Sequence, residues 1–458
     1  MANKFFKKKF DFLSEGRCRI AADKNGSGFF YHMPKQSIIY TLIFSVIVAY
    51  LLSMSILVLK NFFINYPPYD GYILKNESLM GGDFIAFYTG GKLARTDRDN
   101  LYNFQAQKKT RNEILRNEFN RIKGELPFVY PPLVAAFFSL FSYLTFDLAF
   151  YFWTFFSIFI SLSSLFTLSY YLKILTFKSF FSILLSICGF IPYSLDCLAG
   201  GQLSTVAIFI FTFLFILIKE RKFFFAGLLL SLGYYKPPLF LFFSLVAIFF
   251  LNKRFFFGCI TGAFLLTFFS IWYTGFSGFL DYLSVASNYR YGQELFDGIK
   301  LPPDLGMGIF ALATTISPST SFSLVVYIIC FIGLYYSCLK FLLVVDIDKE
   351  NFDLAYVFLM VSSLALSFQI INYDLSILLP TFIIVAPKIE KINNYKNLIS
   401  LTIILFYFEW MFRKIQIFGF LINISSILFL LFLTSLFLFL SLDRSGKLNF
   451  KSYLFINL

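Results

Sequence analysis

The sequence predicts an all-α polytopic membrane protein, and three observations carry that prediction. Of 458 residues, 58% are hydrophobic, 68 are Phe and 14% are charged, whereas soluble domains run to about 25% charged. Apolar stretches of membrane-helix length recur from Ile38 to Leu442. The short alternating segments of an outer-membrane barrel are absent.

Hydropathy over a window of about 19 residues places about twelve spans. They fall at 38–60, 148–172, 179–197, 203–218, 223–236, 238–251, 255–273, 320–343, 352–371, 374–387, 397–412 and 419–441. Several are shorter than the roughly 20 residues a straight helix needs, so broken or tilted helices are expected around Lys236 and Asp374. The stretch Pro132–Phe146 is apolar but, at about 22 Å as a helix, too short to cross comfortably. If it lies along the interface, the basic N-terminal tail (Lys7, Lys8, Lys9, Arg17, Arg19) shares one side with Lys173, Lys219, Arg221, Lys253, Arg254, Lys388 and Arg444. The positive-inside rule prefers that arrangement and puts both termini in the cytoplasm.

The expected organisation is a basic tail at 1–36, a transmembrane domain at 37–442 and a cytoplasmic tail at 443–458. Two outer loops, 61–147 and 274–319, interrupt the domain. In the first, Gly81–Arg95 carries Phe84, Phe87, Tyr88 and Leu93 and suits an interfacial amphipathic helix. No internal repeat is visible, which weakens a transporter built from inverted repeats.

The formal charge of +13 gathers in loops and not in a free basic domain, so nucleic acid is not an expected partner. The six cysteines are scattered without a CxxC pair, and the one histidine, His32, lies in the N-terminal tail. Neither a zinc site nor an intramembrane histidine acid–base role is indicated, and no metal or other cofactor is expected.

Five small polar constellations fall on the outer face in this topology. They are Asp83 with Tyr88 and Leu101-Tyr102; Tyr130-Pro131-Pro132-Leu133; Gly201-Gln202 with Asp196 just before; Lys236-Pro237-Pro238; and Gln369 with Asn372-Tyr373-Asp374. Polar groups gathered at one membrane face suggest a site opening outward. An acid at the membrane edge is a functional candidate, although Asp83 also suits a helix N-cap. Pro131-Pro132 reads as a turn feeding a helix. Gln202 reads as part of a tight turn or as a sugar ligand. Lys236 reads as a snorkelling lysine or as a point charge for a phosphate. Tyr373-Asp374 reads as a packed pair or as an acceptor-binding group. Arg95, Arg98, Lys108, Lys109 and Arg111 form a solvated face or attract a lipid-linked phosphate.

In this order, the constellations resemble glycosyltransferase family 87, the polyprenyl-phosphate-dependent mannosyltransferases of the GT-C superfamily. The resemblance covers about Gly81 to Pro380. It implies a GT-C-type fold and an inverting transfer of a hexose, mannose at the family level, from a polyprenyl-phosphate-linked sugar donor. The acceptor would be a lipid or glycan at the outer face of the cell membrane. The family's first-loop aspartate maps onto Asp83, the catalytic base. Lys236, Arg95 and Lys92 are then the donor-phosphate candidates. Tyr88, Tyr130, Gln202, Gln369, Asn372, Tyr373 and Asp374 are the sugar- or acceptor-binding candidates. Ser204 stands where family members often have Asn, and Gln369 and Asn372 stand where many have His. A transporter or flippase of a lipid-linked sugar is the competing class.

Overall fold

The computed structural model describes residues 79–115, 127–174, 193–250, 252–288, 306–317, 319–348, 350–391, 396–409 and 420–441, with shorter pieces at 46, 49–50, 52–54, 56–57, 60, 72, 190, 294–296, 299–300 and 414–417. The chain forms two compact units, Met1–Ala49 and Tyr50–Leu458. In the first, Val46 and Ala49 are helical. The predicted tails at 1–36 and 443–458, and most of the predicted span at 179–197, lie outside the described residues.

The described residues are mostly helical. In chain order the helices are α1 (Phe84–Thr96), α2 (Phe104–Ile114), α3 (Pro132–Phe141), α4 (Phe146–Tyr171), α5 (Tyr193–Ala199), α6 (Ser204–Lys219), α7 (Phe223–Ser231), α8 (Pro237–Phe250) and α9 (Lys253–Asn288). They continue with α10 (Ile309–Ile316), α11 (Thr320–Val344), α12 (Glu350–Leu366), α13 (Leu378–Val385), α14 (Lys396–Phe408) and α15 (Ile424–Ser441). Among the described residues, Phe146–Tyr171, Lys253–Ser287, Ser321–Val344 and Ile424–Ser441 are long and apolar enough to cross a membrane. The shorter apolar helices include Ser204–Lys219, Pro237–Phe249 and Asn351–Leu366.

Three expectations need correcting. The stretch from 274, read as loop, begins as helix: α9 runs on to Asn288 through a break at Gly275, whose φ of 75° and ψ of 167° leave the helical region. Only glycine adopts that backbone readily, so the kink and the continuing helix share one cause. The span expected to begin at 419 begins at Ile424; before it, Lys414–Ile417 (β3) pairs antiparallel with Phe420–Asn423 (β4). Ile415 and Ile417 alternate with Lys414 and Gln416, a period of two that a hydropathy window averages away. A second short ribbon joins Glu294–Phe296 (β1) to Ile299–Lys300 (β2).

The third correction concerns α1. An interfacial amphipathic helix should bury one face, yet α1 is buried all round from Phe84 to Gly91 and at Leu93 and Ala94. Two glycines make this possible. A Cβ on Gly90 would stand 2.4 Å from the Phe128 ring, and one on Gly91 would stand 2.4 Å from the Phe138 backbone. The ring and the α3 backbone therefore close on α1 from two sides, as small residues permit.

The turn reading of Pro131-Pro132 matches the structure: Pro131 caps α3 and Pro132 is its first residue. Helix α7 crosses α9 closely at Gly227 and Gly258, where a Cβ would meet a backbone oxygen of the other helix at 2.1 Å. Helix α12 is almost wholly buried and braces the centre: Tyr356 Oη donates to the Phe211 carbonyl at 2.6 Å, and Ser363 Oγ to that of Leu239 at 2.6 Å.

Candidate functional site

Four chain breaks bring the polar groups together: the start of α1, the α5–α6 turn, the Tyr235–Pro237 break before α8, and the 3₁₀ turn Asn372–Ile377 before α13. The first two interlock through glycines. Gly81, Gly82 and Gly201 all have positive φ, at 79°, 39° and 63°. A Cβ on Gly82 would lie 3.2 Å from Gly200 Cα, and one on Gly201 would lie 2.6 Å from Phe84 Cβ. The Phe84 N–H donates to the Gly200 carbonyl at 3.0 Å, and Trp153 Nε1 donates to that of Gly201 at 2.9 Å. The two turns thus form one platform.

Asp83 stands on that platform. It occupies the N-cap of α1, but its side chain makes no capping hydrogen bond. Its carboxylate instead accepts from the Gln202 amide. Burial raises its pKa to about 6, against the lowering effect of the Gln202 hydrogen bond and the Lys236 charge; Asp374 and Asp196 raise it further.

A second hydrogen-bonded group adjoins. Asp374, fully buried, receives Lys236 Nζ at 2.6 Å, Ser204 Oγ at 2.8 Å and the Ile371 N–H at 3.2 Å. Its two oxygens are occupied by protein donors, so it holds Lys236 in place and does not face a ligand. Lys236 Nζ also lies 5.4 Å from the centre of the Tyr373 ring. An ammonium has three N–H donors, and Asp374 takes one. Asn372 Nδ2 donates to Asp196 at 2.9 Å.

A cleft of about 150 Å³ opens beside Lys236, with Tyr130, Pro131, Pro237, Gln369, Tyr373 and Tyr282 among its walls. It is smaller than the roughly 300–1,000 Å³ of sites that enclose drug-sized ligands, so it suits a headgroup and not a lipid chain. Among the described residues, no group of three His, Cys, Asp or Glu side chains could hold a metal ion.

Of the residues singled out from sequence, Asp83 and Gln202 form one hydrogen-bonded pair, Lys236 and Asp374 a second, and Asn372 with Asp196 a third, while Tyr130, Gln369 and Tyr373 line the cleft with Lys236. Three lie elsewhere. Tyr88 Oη donates to the Leu144 carbonyl at 2.6 Å and ties α1 to the α3–α4 turn. Arg95 donates to Ser142 Oγ at 2.8 Å and stacks 4.7 Å from the Tyr143 ring. Lys92 faces Glu113 at 3.9 Å. Lys92 and Arg95 lie nine and twelve residues along α1 from Asp83, about 14 and 18 Å at helical rise. The roles of Ser204 and Trp153 were not foreseen. Ser204 was visible as the residue standing where family members often have Asn, whereas nothing local marks Trp153.

The family model of glycosyltransferase family 87 matches residues 128–368. That stretch contains Tyr130, Gln202 and Lys236; Asp83 precedes it, and Gln369 and Asp374 follow it. No curated protein and no solved structure matches the chain. With more than half of its 458 residues matched, the chain belongs to glycosyltransferase family 87.

Proposed function

We propose that this chain is an inverting glycosyltransferase that moves a hexose, mannose in the first instance, from a polyprenyl-phosphate-linked donor to a lipid or glycan acceptor. The single observation behind this reading is a carboxylate, Asp83, whose pKa is raised by burial and which lies within electrostatic reach of the cleft-lining cation Lys236. In the proposed step the acceptor oxygen attacks the anomeric carbon while Asp83 takes its proton. The bond from that carbon to the phosphate oxygen breaks, and the lipid phosphate leaves with the bonding electrons. Phosphate is a good leaving group, so the step needs no general acid. Lys236 offers its remaining N–H donors to the charge that develops there. With a pKa of about 6, Asp83 is ionised in roughly nine molecules of ten at neutral pH and is still basic enough to accept a proton. Tyr130, Tyr373 and Gln369 supply the ring faces and the amide that a sugar requires.

The same proposal takes the chain as a multi-pass cell-membrane protein of about twelve spans, with cytoplasmic termini and the site on the outer face. Helix α3, ten residues long, is too short to cross, which supports this parity.

Purified protein in detergent, supplied with radiolabelled polyprenyl-phosphate-mannose and a total membrane lipid extract, tests the reaction. The wild type is expected to form glycosylated product. Asp83→Asn, matched for folding by size-exclusion profile, is expected to lose roughly 10²–10⁴-fold in rate. Full activity in the variant would move the base elsewhere. No product with any lipid-linked sugar would favour transport of such a lipid.

A further inference from the structure

We propose that Gln202 is a positioning residue for Asp83: its buried amide fixes one carboxylate oxygen and leaves the other aimed at the acceptor hydroxyl. The inference rests on the reading of Asp83 as base. It departs from the sequence expectation, in which Gln202 binds sugar.

Three observations carry it. Gln202 is 2% exposed, so almost none of its side chain is open to a ligand. Its Nε2 donates to Oδ2 of Asp83. Both partners are fixed by backbone: the Gln202 N–H donates to the Cys197 carbonyl at 2.8 Å, and the Phe84 N–H, next to Asp83, donates to the Gly200 carbonyl at 3.0 Å. The donor and the acceptor of the side-chain bond thus ride on the same interlocked glycine turns. The charged groups that act on Asp83 from the surrounding elements are Lys236, Asp374 and Asp196. Lys236 is itself bonded to Asp374, which leaves the amide as the direct hydrogen-bond donor to Asp83 among the contacts described.

An amide donor does two things for a carboxylate. It favours the ionised form, and it restricts rotation so that the free oxygen keeps one direction. The two effects separate experimentally. The protonated Asp83 carboxyl is identified by infrared difference against Asp83→Asn, and its midpoint is followed with pH in the full-length protein. In Gln202→Leu the midpoint is expected to rise from about 6 by about one pH unit. In the near-isosteric Gln202→Glu, two adjacent carboxylates share a proton and the midpoint rises further. At about pH 9, where Asp83 is ionised in wild type and Gln202→Leu, kcat of the latter is expected to fall roughly 10–100-fold with the donor KM unchanged.

A midpoint that stays near 6 in either folded variant overturns the inference, and Gln202→Glu serves where Gln202→Leu does not fold. A shifted midpoint with kcat unchanged at about pH 9 also overturns it, because the amide would then tune the acid without aiming it. Should Asp83→Asn retain turnover, the base reading fails, while the infrared midpoint still reports whether Gln202 holds Asp83.

Discussion

Helix α6 ends at both termini in a buried carboxylate gripped by lysine, and the two ends differ in what surrounds the grip. At the start, Asp374 holds Lys236, and the charges of Lys236, Asp374 and Asp196 all act on Asp83. At the finish, about 22 Å away at helical rise, Asp353 accepts Lys219 at 2.8 Å and Lys388 at 2.7 Å: one carboxylate between two ammoniums. The second arrangement compensates its own acid completely and joins α6, α12 and the turn after α13. The first leaves Asp83 with a raised pKa, and its lysine, Lys236, lines a cleft. A buried ion pair alone therefore does not mark a site; excess charge of one sign next to open space does.

Breaking either grip with one substitution should have the largest effect. Asp374→Asn leaves Lys236 buried without its counter-ion, and Asp353→Asn leaves two facing lysines. Each is expected to destabilise by roughly 3–5 kcal/mol, read from thermal or SDS unfolding in detergent. A loss under about 1 kcal/mol at either would mean that water already solvates the lysines there.

Replacing each whole grip with apolar groups then separates the two ends. Removing every member of a buried ion cluster is often neutral for folding. Lys219→Met, Lys388→Met and Asp353→Leu together should keep both the fold and sugar transfer. Lys236→Met with Asp374→Leu should fold but lose at least roughly 10²-fold in transfer, since the cation at the cleft is gone. Transfer lost in the folded triple variant would show that the far end is coupled to the site. Transfer kept in the double variant would remove Lys236 from the machinery.

Asp83 offers a smaller, pH-dependent contrast. Its folded pKa is raised above that of the unfolded chain, so the folded state holds the extra proton between about pH 4 and 6. Stability is therefore lost as pH rises through that window, and the cost persists above it. Asp83→Asn, which carries no charge at any pH, should match the wild type near pH 4 and gain on the order of 2 kcal/mol at pH 7 and above. Thermal unfolding of the two forms across pH reads this directly. An equal gain at both pH values would assign the effect to packing.

Much of this was legible because membrane helices advertise themselves: most of the described helices coincide with apolar runs, and the polar constellations sit at their ends. The unread parts have physical causes. Gln202 and Asp83 are 119 residues apart, and Ser204 and Asp374 are 170 apart, so no local pattern pairs them. The β3–β4 ribbon hides in a window tuned to helices. The burial of α1 depends on Gly90 and Gly91 admitting neighbours from far along the chain, and those neighbours turn a stripe of aromatics into an all-round core.

Arg95 is the smallest test and bears on the same contrast, because sequence alone placed it beside Lys236 as a phosphate ligand. Its guanidinium lies on the surface, bonded to Ser142 and stacked on Tyr143. An exposed cation so engaged contributes about 0.5–1 kcal/mol. Arg95→Ala should therefore lower stability by no more than that and leave the donor KM within about twofold, with the same salt dependence. A tenfold rise in donor KM that fades at high salt would instead mean that Arg95 meets the phosphate during turnover. Then α1 would have to shift relative to the α3–α4 turn when donor binds, and the acid-rich end of α6 would draw its second cation from outside the resting network.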